Sequence, residues 1–371
     1  MCGTIDNSTL NGRQLLCSGS ADKTLCVWDI ETNEQIQTFN GHSSSVYCAR
    51  FSPYHYYNKN RRYVICSASF DKTICFWDIK DNNRFQVFGK HAEWVGGIEF
   101  SPFNSGRYLC SGSGDTTICL WDIETSKLLH IFNGHDEGVC CVDFSPLQSN
   151  NNNNNNNNDN KSNHIGVIGG NGYTICSGSY DNTIRLWDIE TAKQLTVFNG
   201  HNDFVNCVKY GPNESGINGG SNTILSGSDD FCIYLWDVRS GKRIQEFNGH
   251  TDYVYAVEYS PFVVYDSEGS SNVICSGSKD NTIRFWDIRT NKNQLHVIKG
   301  DKKEDYGIYC LKLLQFKKKS KNNNGDEAVK VVRISNIKML FARIKIINAK
   351  VDLFKRNNTG NIKNKMFNER K

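Results

Sequence analysis

Apolar and polar positions alternate in short bursts along most of this chain, and the stretch from Tyr173 to Tyr210 shows the form. Tyr173 to Ser179 is a run of β-forming residues. Ser-Tyr-Asp-Asn then marks a tight turn, because Asx side chains fold back on their own backbone. Thr183 to Ile189 alternates with a period of two, a strand signal. Glu-Thr-Ala-Lys is a second turn, Gln194 to Phe198 a third strand, and Phe204 to Tyr210, after Asn-Gly-His, a fourth. Four short antiparallel strands make one twisted sheet that cannot bury both faces alone, so copies must pack on one another. The burst recurs six times.

Polar residues recur inside it at fixed offsets of 0, 4 and 10: Ser18, Asp22, Trp28; Ser67, Asp71, Trp77; Ser111, Asp115, Trp121; Ser177, Asp181, Trp187; Ser226, Asp230, Trp236; Ser276, Asp280, Trp286. A Gly-His or Lys-His pair adds His42, His91, His135, His201 and His250. On these Trp-Asp and Gly-His pairs the chain resembles the WD-repeat β-propeller family over roughly residues 14–316. The resemblance implies an all-β propeller of four-stranded antiparallel blades. It also implies a hydrogen-bonded His–Asp–Ser–Trp tetrad inside each blade, since buried polar groups must be paired. Loss of the His201 ring is expected to strand Asp181 and Ser177.

Six blades carry Trp-Asp. Residues 1–13 hold no Gly-His and read as a weakly ordered N-terminus that leaves the first blade short of its innermost strand. After Trp286 the pattern decays: Gly300-Asp301 stands where Gly-His would be, residues 306–316 read as an innermost strand, and Val329 to Ile334 and Leu340 to Ile347 could form two more. A degenerate seventh blade over 317–354 is the preferred reading, with a six-bladed ring closed by 306–316 as the alternative. Residues 355–371 read as a disordered tail. Within the fourth unit, 150–163 is an Asn-rich tract with nothing to bury, expected to be disordered and dispensable. This insertion and the loop SPYHYYNKNRR lie between the first two strands of a blade, which by resemblance places them opposite the His loops.

Composition narrows the chemistry. The fifteen cysteines follow the repeat, as Cys17, Cys66 and Cys110 do before the tetrad Ser, and no C-x-x-C occurs, so they read as small buried hydrophobes. No secretory start or apolar run of bilayer length is present, and the expected place is the cytoplasm or nucleus. The net charge of +4 is uneven: residues 299–371 carry 20 Lys+Arg against 7 Asp+Glu, and the remainder 23 against 32. The basic end could touch nucleic acid. His42, Asp71 and Ser67 have the residue types of a hydrolase triad, but five such sets each tied to a Trp point to structure, not catalysis. No cofactor, metal, membrane or small-molecule substrate is expected.

The function expected is a non-enzymatic scaffold that docks proteins or peptides. The alternative is a nucleic-acid factor acting through the basic end, or an enzyme with an unrecognised site. In similar propellers the Gly-His-loop face presents the third and fifth residues after the His and the residue before the tetrad Asp. In this chain those slots hold Tyr47, Phe70, Trp94, Tyr180, Phe204, Tyr253 and Tyr255, with Ser45, Gly96, Gly114, Gly138, Cys140, Asn206, Asp229 and Lys279 filling the rest. The seven aromatics are the expected partner anchors.

Overall fold

The computed structural model describes residues 4–10, 13–59, 61–146, 173–212, 222–266, 269–288, 294–300, 307–317, 327–335 and 343–350. The Asn-rich tract, the Gly-rich stretch after it and the last 21 residues lie outside these. Six four-stranded antiparallel sheets follow one another in chain order, and a three-stranded sheet of Ile308–Lys317, Glu327–Ser335 and Arg343–Lys350 comes last. The six begin with the innermost strands Thr4–Leu10, Val46–Phe51, Val95–Phe100, Val139–Phe144, Val205–Tyr210 and Val254–Asp266. Each innermost strand lies against the next, and Ile308–Lys317 lies against both Val254–Asp266 and Thr4–Leu10, which closes the ring.

Three expectations are corrected here. The first blade is complete, because Thr4–Leu10 pairs antiparallel with Arg13–Gly19. Its sequence, TIDNSTL, has no apolar alternation, and the pairing needs only backbone groups. The six-bladed alternative fails for the same reason: Ile308–Lys317 pairs with Glu327–Ser335 instead of completing the first blade. The stretch SPYHYYNKNRR is not merely a loop either, since Pro53–Asn58 is a helical turn with Pro in its first turn. Proline is pre-set for that position, having no N–H to leave unpaired.

The apolar cores lie between blades. Phe39, Phe88, Phe132, Phe198 and Phe247, each ending an outermost strand, pack their rings against Trp77, Trp121, Trp187, Trp236 and Trp286 of the following blade. The Phe88 and Trp121 rings stack at 4.8 Å. All five Phe side chains are buried. The glycine of Gly-His is explained by this packing: a Cβ on Gly200 would stand 3.1 Å from the Trp236 ring. Such stacking of successive sheets is how a repeat that cannot fold alone acquires a core.

One irregularity recurs and positions the face described next. The pairing of the innermost strand shifts after its first residue, between Val46 and Cys48, Val139 and Cys141, Val205 and Cys207, Val254 and Ala256, and Ile308 and Cys310. The residues left out of the ladder are Tyr47, Cys140, Asn206, Tyr255 and Tyr309. A bulge bends the strand and re-aims the extra side chain.

Candidate functional site: the histidine-loop face

The tetrads come first because they fix the loops. In blade 2 His42 bonds Asp71 through Nδ1 at 2.8 Å and Ser67 through Nε2 at 2.7 Å, while Trp77 Nε1 donates to Ser67 Oγ at 2.7 Å. The same set forms in blade 3 from His91, Asp115, Ser111 and Trp121. Blades 4 and 5 repeat it with His135, Asp181, Ser177 and Trp187, and with His201, Asp230, Ser226 and Trp236. Blade 6 uses His250, Asp280, Ser276 and Trp286. His201 therefore serves Asp230 and Ser226 of the following blade, a correction to its expected pairing with Asp181 and Ser177, whose histidine is His135. Blade 1 has only Trp28 on Ser18, at 2.9 Å, and Asp22 binds Thr24 instead of a histidine.

The indole can only donate, so the chain of donors runs Trp to Ser to His to Asp, with a neutral ring protonated at Nδ1. Burial pushes His42, His135 and His250 below the ordinary histidine value, against the pull of their aspartates. Burial raises Asp71, Asp115, Asp181 and Asp280, but hydrogen bonds from the histidine and the neighbouring Thr more than offset it, and all four end below the carboxylate range. The geometry resembles a hydrolase triad, but Ser67, Ser111, Ser177, Ser226 and Ser276 are fully buried at 0% exposure. Each hydroxyl oxygen is already taken by an indole, so no carbonyl can reach it.

Each His–Asp bond ties the loop before an innermost strand to the turn between the second and third strands, so both sit at one end of the blade. In that turn the residue after the tetrad Asp is left-handed in all six blades, with φ from 63° at Asn281 to 74° at Lys23. The residue before the Asp, and the bulged residue, then converge on the channel mouth.

The rings meet there in one arc. Phe70 lies 6.0 Å from Tyr47, Tyr47 6.1 Å from Trp94, Trp94 5.6 Å from Tyr180, and Tyr180 4.5 Å from Phe204. Phe231, Tyr253, Tyr255 and Tyr309 form a second arc, ending in a Tyr255–Tyr309 stack at 4.6 Å. Phe70 and Phe204 are exposed at 47% and 41%, and the other five expected anchors are half-buried. Trp94 lies over a bed of glycines: a Cβ on Gly114 would stand 2.3 Å from its Nε1, and one on Gly138 2.8 Å from Cζ2. The small residues in those slots are thus what lets the indole lie flat.

Tyr309 and Phe231 were not legible as face residues. The signal for Tyr309 is that Ile308-Tyr-Cys310 repeats Val46-Tyr-Cys48. A further set hidden in the sequence is the fifth residue of the innermost strands of blades 2 to 6, where Arg50, Glu99, Asp143, Lys209 and Glu258 fall. Arg50 pairs with Glu99 at 2.5 Å, and Lys209 with Glu99 at 3.4 Å and Asp143 at 3.3 Å. Several of them line a cavity of about 440 Å3 toward the opposite end of the channel. Burial raises Asp143, partly offset by Lys209. Among the described residues no three His, Cys, Asp or Glu side chains converge as metal ligands, and no helix is long and apolar enough to cross a membrane.

Repeated four-stranded blades built around Trp-Asp pairs and closed in a ring define a β-propeller. The sequence matches the family described as WD domain, G-beta repeat, over residues 7–29, 33–78, 82–122, 126–150, 161–188, 192–237 and 241–287, and the chain belongs to that family. Six of these segments end on the Asp of a Trp-Asp pair, and the segment 126–150 ends inside the Asn tract. The last sheet lies beyond them. Among curated proteins the chain is similar to the peroxisomal targeting signal 2 receptor of Mus musculus, 41% identical over 51 residues, which is 14% of this chain and 16% of that protein. It is also similar to the WD40 repeat-containing protein HOS15 of Arabidopsis thaliana, 45% identical over 40 residues, 11% of this chain and 6% of that one. The matches thus span about a sixth or less of these relatives.

Proposed function

We propose that this chain is a non-enzymatic protein-interaction scaffold whose partners dock on the histidine-loop face, with Tyr47, Phe70, Trp94, Tyr180, Phe204, Tyr253 and Tyr255 as anchors. WD repeats imply such a scaffold, and the Mus musculus relative is by name a receptor for a targeting signal, a binding role. The observation that carries the choice of face is the ring-to-ring arc from Phe70 to Phe204, which runs across blades 2 to 5. Its members sit at bulges and turns, not in the interblade cores. Half-exposed aromatic rings gathered at a rim are costly in water, and such residues dominate interface energies.

The test is recovery of partners from a lysate by the folded triple variant Trp94→Ala, Phe204→Ala, Tyr255→Ala. Each substitution is expected to weaken binding by ~2 kcal/mol or more while the far-UV spectrum is kept. The same partners at unchanged recovery would place the docking surface elsewhere.

A further inference from the structure

The face changes character where its two aromatic arcs meet. The slot before the tetrad Asp holds Phe70, Gly114 and Tyr180 in blades 2 to 4, but Asp229 in blade 5. The Asp229 carboxylate is held from below: Asn206, the bulged residue of that blade, donates to Oδ1 at 2.7 Å and to the Val254 carbonyl at 3.1 Å. The Asp229 backbone N–H donates to the Phe204 carbonyl at 2.9 Å, which ties the acid to the end of the aromatic arc. Burial, and then the nearby charges of Asp203 and Asp252, push the carboxyl above its ordinary value despite the Asn206 bond and Lys279. Burial raises Tyr180 and Tyr255, and the Asp229 charge adds to the rise in both.

The molecule contains a working example of what suits such a place. Lys279, in the equivalent slot of blade 6, puts its ammonium 4.4 Å from the centre of the Tyr253 ring and 3.7 Å from Asp252 Oδ1. A cation between an aromatic face and a carboxylate gains from both the ring quadrupole and the charge. Lys279 pairs with Asp252, and its charge also acts on Asp229. Residues 1–298, which form the six four-stranded blades but for Lys299, carry nine more acidic than basic side chains.

Resting on the docking face proposed above, we infer that the partner enters with a lysine or arginine of a basic segment, seated on Asp229 at the channel mouth with its stem against Phe204, Tyr180 and Tyr255. The long apolar stem of either residue suits half-buried rings, and its head suits the carboxylate. A nucleic acid would meet the same aspartates with its phosphates and is disfavoured at this point.

The probe is a random heptapeptide library displayed on phage and panned against the full chain. The expected result is about tenfold enrichment of Lys or Arg at one position beside apolar positions, reduced by added salt. Asp229→Asn keeps the shape of the Asn206 contact and removes a desolvated charge, so it is expected to fold. It should abolish the cationic preference while the apolar preference persists, and Asp203→Asn should weaken it in part. Enriched peptides that are neutral or acidic, or that bind wild type and Asp229→Asn equally, overturn the inference. If such neutral peptides are still lost with the triple aromatic variant, the docking face stands without the cation seat. If they bind that variant unchanged, the face falls as well. No enrichment on wild type or on the chain lacking residues 351–371 overturns the cation seat and leaves the face to the lysate recovery experiment. Enrichment seen only after deletion of residues 351–371 assigns the seat to this chain's own basic end and overturns a separate partner.

Discussion

At the scale of single residues, the tetrad shows how one constellation of side chains can serve opposite ends. His, Asp and Ser are placed as in a nucleophilic triad, but the indole closes the serine oxygen, and burial removes any path for substrate. What remains is a chain of satisfied hydrogen bonds that pins one loop to one turn. Removing a member leaves others unpaired in a buried place. His201→Ala is expected to strand Asp230 and Ser226 and to cost on the order of 1–3 kcal/mol, read from chemical denaturation. An unchanged midpoint would mean that water replaces the ring without loss. The same groups set a pH dependence. His42, His135 and His250 lie below their ordinary value of 6.5 because burial disfavours the cation, and His55, buried beside Ser52, is lowered to about 4. A ring with a lowered folded pKa contributes stability that is complete above 6.5 and lost as pH falls toward the folded value. The tetrad aspartates, lowered from 3.8, act in the same sense at still lower pH. The melting temperature is therefore expected to fall steadily from pH 7 to pH 4, and a flat or rising profile in differential scanning calorimetry would contradict this.

At the scale of the element, the repeating turn and bulge decide which side chains reach the face. The residue after each tetrad Asp must be left-handed, yet blade 3 places Thr116 there at φ 69° and blade 4 the more tolerant Asn182 at φ 66°. A β-branched residue with positive φ is strained, whereas Asn visits this region readily. Thr116→Asn is expected to raise stability by about 1 kcal/mol, seen as a higher melting temperature, and a lower one would show that the Thr116 side chain makes a contact worth more than the strain. The contrast between these positions also explains what could be read without coordinates. The Ser, Asp and Trp of a tetrad lie within eleven residues of one hairpin, so their spacing is rigid and visible. The histidine comes from the preceding hairpin, across a junction that spacing alone does not assign, and His201 accordingly serves Asp230 and not the Asp181 of its own hairpin. The bulged residues Tyr47, Cys140, Asn206 and Tyr255 each stand five residues after a loop histidine, so the slot is visible in spacing, but only pairing shows that the residue is extra. Tyr309 has no such histidine to count from. The channel charges Arg50, Glu99, Asp143, Lys209 and Glu258 share a register, but each resembles an ordinary solvated residue of its own strand until the ring brings them together.

At the scale of the whole molecule, the question is what closes the ring. Every described core is an interface between neighbours, so a blade without a neighbour exposes half of its apolar surface. Blade 6 meets this need through the last sheet, where Ile308 and Leu311 pack with Val273, Cys275 and Ile283. The fit is close: a Cβ on Gly277 would stand 2.7 Å from Ile308 Cγ2. Ile308–Lys317 also touches Thr4–Leu10, so the two ends of the chain meet in one joint with no Trp-Asp pair on the late side. Sequence decay after Trp286 therefore does not mark the end of the folded body, and the excess of basic residues from 299 onward partly belongs to a blade. Ile308 is fully buried. Ile308→Ala removes branched apolar volume from the only core that blade 6 shares with the last sheet among the described residues, and is expected to cost about 2–5 kcal/mol. Because opening this joint frees both ends of the ring, the variant should also become sensitive to proteolysis between blades 6 and 1 at temperatures where the wild type resists. A variant with the melting temperature and protease resistance of the wild type would show that the last sheet is an appendage and that the ring is closed in another way.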